Sequence, residues 1–155
     1  MKILDKQTFT ALTLEAENAL YRIAWSILRN DADAEDAVQE AVLRAWEKLD
    51  SLREPQYFRT WLTRILIREC SRLRRNGSRI VPLDELPEPA APDGGEVWTE
   101  LQSLPEPLRL PALLHYVEGY SVAETGALLR IPAGTVKSRL SRARTILRLE
   151  LEGLT

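Results

Sequence analysis

Between Gly134 and Arg148 the chain reads Gly-Thr-Val-Lys-Ser-Arg-Leu-Ser-Arg-Ala-Arg-Thr-Ile-Leu-Arg, side chains of the kinds that read and grip a nucleic acid. On a helix, Val136, Leu140, Ala143 and Leu147 recur at i, i+4, i+7 and i+11, one narrow stripe that can be buried. Ser138, Ser141, Arg142 and Thr145 lie opposite it, Thr135 and Arg139 flank it on one side, and Lys137, Arg144 and Arg148 on the other. Small hydrogen-bonding groups and one guanidinium at the crest suit base edges in a DNA major groove, and cations on the shoulders suit phosphates. The plainer alternative is a helical hairpin with a solvated basic face.

Two further sets carry chemistry. Tyr57, Trp61, Arg64, Arg68 and Arg75 share one flank of a helix expected from about Tyr57 to Arg75, which turns Phe58, Leu62, Ile65, Leu66 and Leu73 toward a core. Rings stack on unpaired bases for ~1–3 kcal/mol each while cations follow the backbone, so this flank suits single-stranded DNA. The spacing is equally compatible with Trp61 in the core and solvated arginines. Glu35, Asp36, Gln39 and Glu40 form an acidic, amide-bearing face, read either as favourable charge near a helix N-terminus or as a docking face for a basic partner.

These groups need helices to hold them, and the pattern supplies them. A first helix is expected from Thr8 or Thr13 to Leu28, on the repeat of Leu20, Ile23, Ala24, Ile27 and Leu28. A second starts at Asp33, whose side chain can cap it, and carries Val38, Ala41, Val42, Ala45, Trp46 and Leu49 inward. Asp50 to Gln56 is a polar loop, because Pro55 disfavours helix at the residue before it. From Ser78 to Pro107, six prolines and the Gly94-Gly95 pair leave room for little more than a short turn at Val97 to Leu101.

Beyond Leu104-Pro105, Leu108, Leu110, Leu113, Leu114 and Val117 mark a helix with Pro111 in its first turns and Gly119 free to take a left-handed cap. Ser121 and Glu124 have the spacing of a capping box, Pro132 breaks the helix that follows, and Gly126 is small where two helices would cross. With no strand-like alternation, the expected fold is all-α. It has two small helical domains, residues 1–77 and 104–155, joined by an acidic, Pro-rich linker over 78–103, and the second domain is a helix-turn-helix.

The net charge of -2 over 155 residues hides strong segregation. Acids dominate from Asp31 to Asp50; eight arginines between Arg53 and Arg79 face only Glu54 and Glu69. Asp84 to Glu106 contains no base, and Lys137 to Arg148 no acid. Such blocks imply separate partners for separate segments. One cysteine and one histidine exclude an internal disulfide and a multi-ligand zinc site. Cys70, on an apolar stretch, reads as a buried structural thiol, and His115 as a surface or core-edge residue. No apolar run is long enough to span a bilayer and no signal peptide starts the chain, so a cytoplasmic protein without membrane insertion is expected. No paired acid and base, nucleophile triad or phosphate loop is visible, so neither an enzyme nor a cofactor is expected.

Asp33-Ala34-Glu35-Asp36-Ala37-Val38-Gln39-Glu40, Ala45-Trp46 and Phe58-Arg59-Thr60-Trp61-Leu62-Thr63-Arg64-Ile65 resemble the second region of extracytoplasmic-function (ECF) sigma factors. Gly134 to Arg144 resembles their fourth region, in the right order and at the right spacing, and the likeness runs from about Leu20 to Leu151. It implies that Glu35, Asp36, Gln39 and Glu40 dock on the β′ clamp helices of core RNA polymerase, with the second domain on the β flap. The loop carrying Arg53, with Tyr57, Trp61, Arg64 and Arg68, would capture and support the melted −10 element. Thr135, Lys137, Ser138, Arg139, Ser141, Arg142 and Arg144 would bind the −35 element as duplex, Ser138, Ser141 and Arg142 reading bases. The linker would thread near the active-site cleft and RNA exit path, and an anti-sigma factor would hold the free protein. Arg68 departs from a common Asn, Arg130 from a frequent Gly, and Thr125-Gly126 from the usual Ile-Ala. Two rivals remain at this level: a regulator that binds duplex DNA without polymerase, and a sequestering adaptor.

Overall fold

Asp5 starts the first helix by accepting the Thr8 amide at 2.7 Å, a bond that also holds its carboxyl below the ordinary value. A computed structural model describes residues 4–75 and 95–153, side chains 95, 96 and 149–153 excepted. The expected linker residues 78–94, with Arg79, lie outside the described residues. Among those described there are helices and no strand, as an all-α fold requires. The chain divides into two units, residues 1–92 and 93–155.

In the first unit α1 (Lys6–Leu28), α2 (Asp31–Glu47) and α3 (Phe58–Arg75) pack on one another. The second helix starts earlier than expected. Asn30, in extended backbone, accepts the Asp33 amide at 2.9 Å, so Asn30 is the cap and Asp33 the residue it caps. The core stripe of α2 is also displaced: Ala34, Ala37, Ala41 and Ala45 are sealed, whereas Val38, Val42 and Trp46 are half-buried. Four small residues let α2 approach its neighbours, Leu20, Ile23 and Ala24 of α1 and Leu62, Leu66 and Cys70 of α3 filling the core.

Phe9 meets Trp46 at a centroid separation of 5.1 Å and Phe58 at 5.6 Å, and Phe58 meets Trp61 at 5.9 Å, an aromatic cluster that ties the start of α1 to the end of α2 and the start of α3. This cluster fixes the connection between α2 and α3. Two single 3₁₀ turns, Leu49–Ser51 and Pro55–Tyr57, lie in it, and Leu49 and Leu52 are buried as its anchors. Glu54 is extended before Pro55, as the proline ring demands.

The second unit opens earlier than Leu104. Helix α4 (Gly95–Leu101) buries Trp98 and Leu101, so the stretch expected to end the linker contributes core to this unit. Helix α5 (Glu106–Ala112) contains Pro111, which has no amide hydrogen to donate, and the chain beyond it widens into one π turn over Leu113–Val117. Glu118 N–H reaches Leu113 O and Tyr120 N–H reaches Leu114 O, both at 3.0 Å, with Gly119 at φ 81. The helix expected here thus runs unbroken from Glu106 to Val117, its last five residues in π rather than α register.

Helix α6 (Val122–Leu129) opens on the expected capping box: Ser121 Oγ accepts the Glu124 amide at 3.0 Å, and Glu124 accepts that of Ser121 at 2.9 Å. It closes on Arg130 in the left-handed region, φ 58, a conformation a glycine adopts with less strain. A Cβ on Gly126 would meet the Ile131 carbonyl oxygen at 2.8 Å, so the absent side chain is what lets the turn fold back. Helix α7 (Ala133–Gly153) follows, Pro132 O accepting the amides of Thr135 and Val136.

Candidate nucleic-acid interface

Helix α7 packs on α5 and α6 through Val136, Leu140 and Ala143, all sealed, while Leu147 is half-buried. The opposite crest is open: Ser138, Ser141, Arg142 and Thr145 are exposed, Thr145 Oγ1 donating to Ser141 O at 3.1 Å. Lys137, Arg144 and Arg148 are exposed on one shoulder, and Thr135 and Arg139 are half-buried on the other. Packing thus leaves a row of hydroxyls and one guanidinium between cations, the chemistry needed to meet base edges flanked by phosphates. Arg144 has a partner that the sequence did not announce, its Nη1 donating to the Tyr116 hydroxyl at 2.7 Å.

In the first unit Tyr57 is 57% exposed, and Arg53, Arg64 and Arg68 are exposed. Trp61 lies between the two readings left open for it. It is half-buried against Phe58, and its indole N–H donates to Ser51 Oγ at 3.2 Å. Ser51 Oγ in turn donates to Lys48 O at 2.7 Å, so Trp61 is held to the turn that follows α2. Tyr57, Trp61, Arg64 and Arg68 follow one another at helical spacing, and Arg53 sits in the exposed connection before them.

The acidic face is present as expected: Glu35, Asp36 and Gln39 are exposed and Glu40 is half-buried, 3.4 Å from Arg44 Nε. Beside it runs a feature that periodicity missed. An open apolar groove of about 420 Å³ between α1 and α2 is lined by Leu14, Leu20, Val38, Gln39, Val42 and Leu43 among others. Leu14 and Leu43, 63% and 59% exposed, leave two large apolar side chains of that lining open to solvent. Gln39 belongs to both groove and acidic face.

A second unannounced feature is Glu69. Its side chain is 6% exposed, pairs with Arg44 of α2, and receives Arg72 Nη2 at 2.9 Å. Glu69 continues the Leu62, Leu66 stripe by helical spacing, and a lone acid on an apolar stripe was the available signal. The neighbouring Cys70 thiol, pushed up to about 12 by burial and then by Glu69, stays protonated and is structural. His115 is half-buried, Nδ1 lying 2.8 Å from Tyr120 O. Among the described residues no cluster of His, Cys, Asp or Glu could hold a metal ion.

Among the described residues the first unit is helical with an aromatic and arginine-bearing α3, and the second carries a capped helix-turn-helix. Residues 14–80 match the family model of sigma-70 region 2, and residues 95–147 that of sigma-70 region 4. The chain is 30% identical to the ECF RNA polymerase sigma factor SigW of Bacillus subtilis, over 97% of this chain and 92% of that one. It is 34% identical to SigM of Mycobacterium tuberculosis, also an ECF RNA polymerase sigma factor, over 90% and 75%. Among solved structures it resembles the sigma factor RpoE of Bartonella quintana in complex with the anti-sigma factor NepR, with TM-score 0.72, 28% identity and coverage of 94% and 98%. CnrH in complex with the cytosolic domain of CnrY gives TM-score 0.71, 28% identity and coverage of 97% and 92%. The chain belongs to the ECF sigma factors of the sigma-70 family.

Proposed function

We propose that this protein binds core RNA polymerase and directs it to promoters, reading the −35 element as duplex with α7 and capturing the melted −10 element at the start of α3. The reading is carried by one observation: α7 buries its apolar stripe and leaves Ser138, Ser141 and Arg142 exposed between cations. Thr135, Lys137, Arg139 and Arg144 hold the duplex backbone around them. Tyr57 and Trp61 stack on unpaired bases while Arg53, Arg64 and Arg68 follow their phosphates. Glu35, Asp36, Gln39 and Glu40 meet the β′ clamp helices, and the apolar groove beside Gln39 enlarges that contact. The second unit sits on the β flap.

The protein acts through binding and not through catalysis, needs no cofactor and works in the cytoplasm, where the polymerase is. No described helix is long and apolar enough to cross a membrane. An anti-sigma factor controls it, a reading supported by the complex with an anti-sigma factor in which one structural relative was solved.

Run-off transcription with core polymerase over a promoter library tests this assignment. Transcripts that depend on the added chain and on sequence near both elements are expected. Duplex binding with no effect on transcription would favour a polymerase-independent regulator, and no promoter-dependent transcription at all an adaptor.

A further inference from the structure

Tyr116 is a large aromatic residue left 42% exposed at the end of the π turn, and nothing in its burial explains why it points outward. Its ring is nonetheless fixed. It stands edge-on to His115 at 4.9 Å and 70°, and His115 is itself tied through Nδ1 to the Tyr120 carbonyl oxygen at 2.8 Å. Its hydroxyl oxygen accepts from Arg144 Nη1 at 2.7 Å, a bond spanning 28 positions of sequence within the second unit. The phenolic hydrogen is not used in that bond and remains available to donate.

We propose that Tyr116 and Arg144 together form a binding site for one phosphate of the DNA backbone beside the −35 element, with Tyr116 both positioning the guanidinium and donating its own O–H. The site rests on the duplex-reading assignment of α7 and adds a residue outside the helix-turn-helix. Arg144 shares a shoulder with Lys137 and Arg148, next to the base-reading crest, where a duplex presents its backbone. A long arginine loses rotamer freedom when it binds, and a partner that holds it in place beforehand removes part of that cost. A cation and a fixed neutral donor converging on one point suit an anionic oxygen better than a base edge.

Holoenzyme made from core RNA polymerase and the full-length chain is titrated with a promoter duplex selected by the wild-type holoenzyme from a random pool. Tyr116→Phe keeps the ring and removes the hydroxyl. It should weaken binding by about three- to tenfold and lower the salt slope by up to about 0.9, with base preference at the −35 element unchanged. Arg144→Ala should do the same, and the double variant should lose less than the sum of the two single losses. A single neutral methylphosphonate at one upstream position should weaken the wild type more than either variant. Additive losses, wild-type affinity in Tyr116→Phe, or a fall in its unfolding midpoint that tracks the lost binding each overturn the site. If instead the wild-type holoenzyme ignores the sequence of the upstream duplex, the duplex-reading assignment itself fails and the phosphate site with it.

Discussion

Glu69 of α3 and Arg44 of α2 form an ion pair across the interface between the two helices, the carboxylate almost wholly buried and the guanidinium partly open to water. Arg72 completes the arrangement from the next turn of α3. The carboxylate lies where the apolar stripe would otherwise continue, and among the described residues these two partners offset its removal from water. Glu69→Gln keeps the shape and removes the charge. Because both arginines are more than a third exposed, the loss should be about 1–3 kcal/mol, at the low end for a buried pair. Urea unfolding reads it directly, and an unchanged midpoint would show that the pair contributes nothing.

The neighbouring thiol gives stability a pH dependence of known sign. Cys70 has an ordinary value of 9.0 and is pushed up to about 12 in the folded protein, chiefly by burial. The folded chain therefore binds more protons than the unfolded one between those values, and its stability falls as pH rises through that window. Below pH 9 the contribution is complete; above it the loss approaches about 1.4 kcal/mol per unit. Tyr21, also raised by burial and by its bond to Asp31, acts in the same direction starting from 10.0, so the interval just above 9 isolates the thiol. Cys70→Ala should flatten stability over that interval, and an identical slope in both proteins would remove the thiol as its source.

Local chemistry was legible in the sequence where one residue answers for one backbone feature. Ser121 with Glu124, and Gly119 at a positive φ, follow from side-chain type alone. Asn30-Asp31-Ala32-Asp33 offers several good caps, and only the extended backbone at Asn30 decides among them. The apolar side of α2 is wider than a core needs, so period alone could not show that the alanines are sealed while Val38 and Val42 line a groove. Trp98 was obscured by the prolines around it. The Tyr116 to Arg144 bond joins residues that no local pattern relates.

Thr125 and Gly126 are adjacent, and substitutions there should act in opposite directions. The Thr125 hydroxyl is buried without a hydrogen-bond partner, so Thr125→Val exchanges an unmet polar group for a methyl of similar size and should stabilise by about 1 kcal/mol. Gly126→Ala gains up to about 1 kcal/mol of helix propensity but drives its Cβ into the Ile131 carbonyl. With backbone as the obstacle, overpacking of about 1–3 kcal/mol should prevail and the variant be less stable. Thermal unfolding of both variants checks the pair, and a stabilised Gly126→Ala would mean that the turn relaxes freely.

The groove separates a docking surface from a structural one. Leu43 is more than half exposed, so Leu43→Lys should cost little in folding, yet it places a charge on the lining of the apolar groove. Loss of co-elution with core polymerase is expected for Leu43→Lys and for charge reversal at Asp36 with Glu40, each with an unfolding curve close to wild type. Co-elution that survives both changes would remove the docking assignment of this face.

Arg142 and Lys137 test the division between crest and shoulder on α7. Both are exposed cations five positions apart on one helix, so a general electrostatic attraction would make their losses equivalent. Arg142 stands on the crest, where a guanidinium can pair with a single base, and Arg142→Ala should cost ~1–3 kcal/mol while relaxing preference at one position of the selected duplex. Lys137 stands on the shoulder, facing backbone. Lys137→Ala should weaken holoenzyme binding to selected and scrambled duplexes alike, with the salt slope reduced by about 0.9 for the one phosphate released. The discriminating quantity is the ratio of selected to scrambled affinity, which should fall for Arg142→Ala and hold for Lys137→Ala. Equal ratios in the two variants would mean that α7 grips DNA through its charge alone and that sequence is read elsewhere.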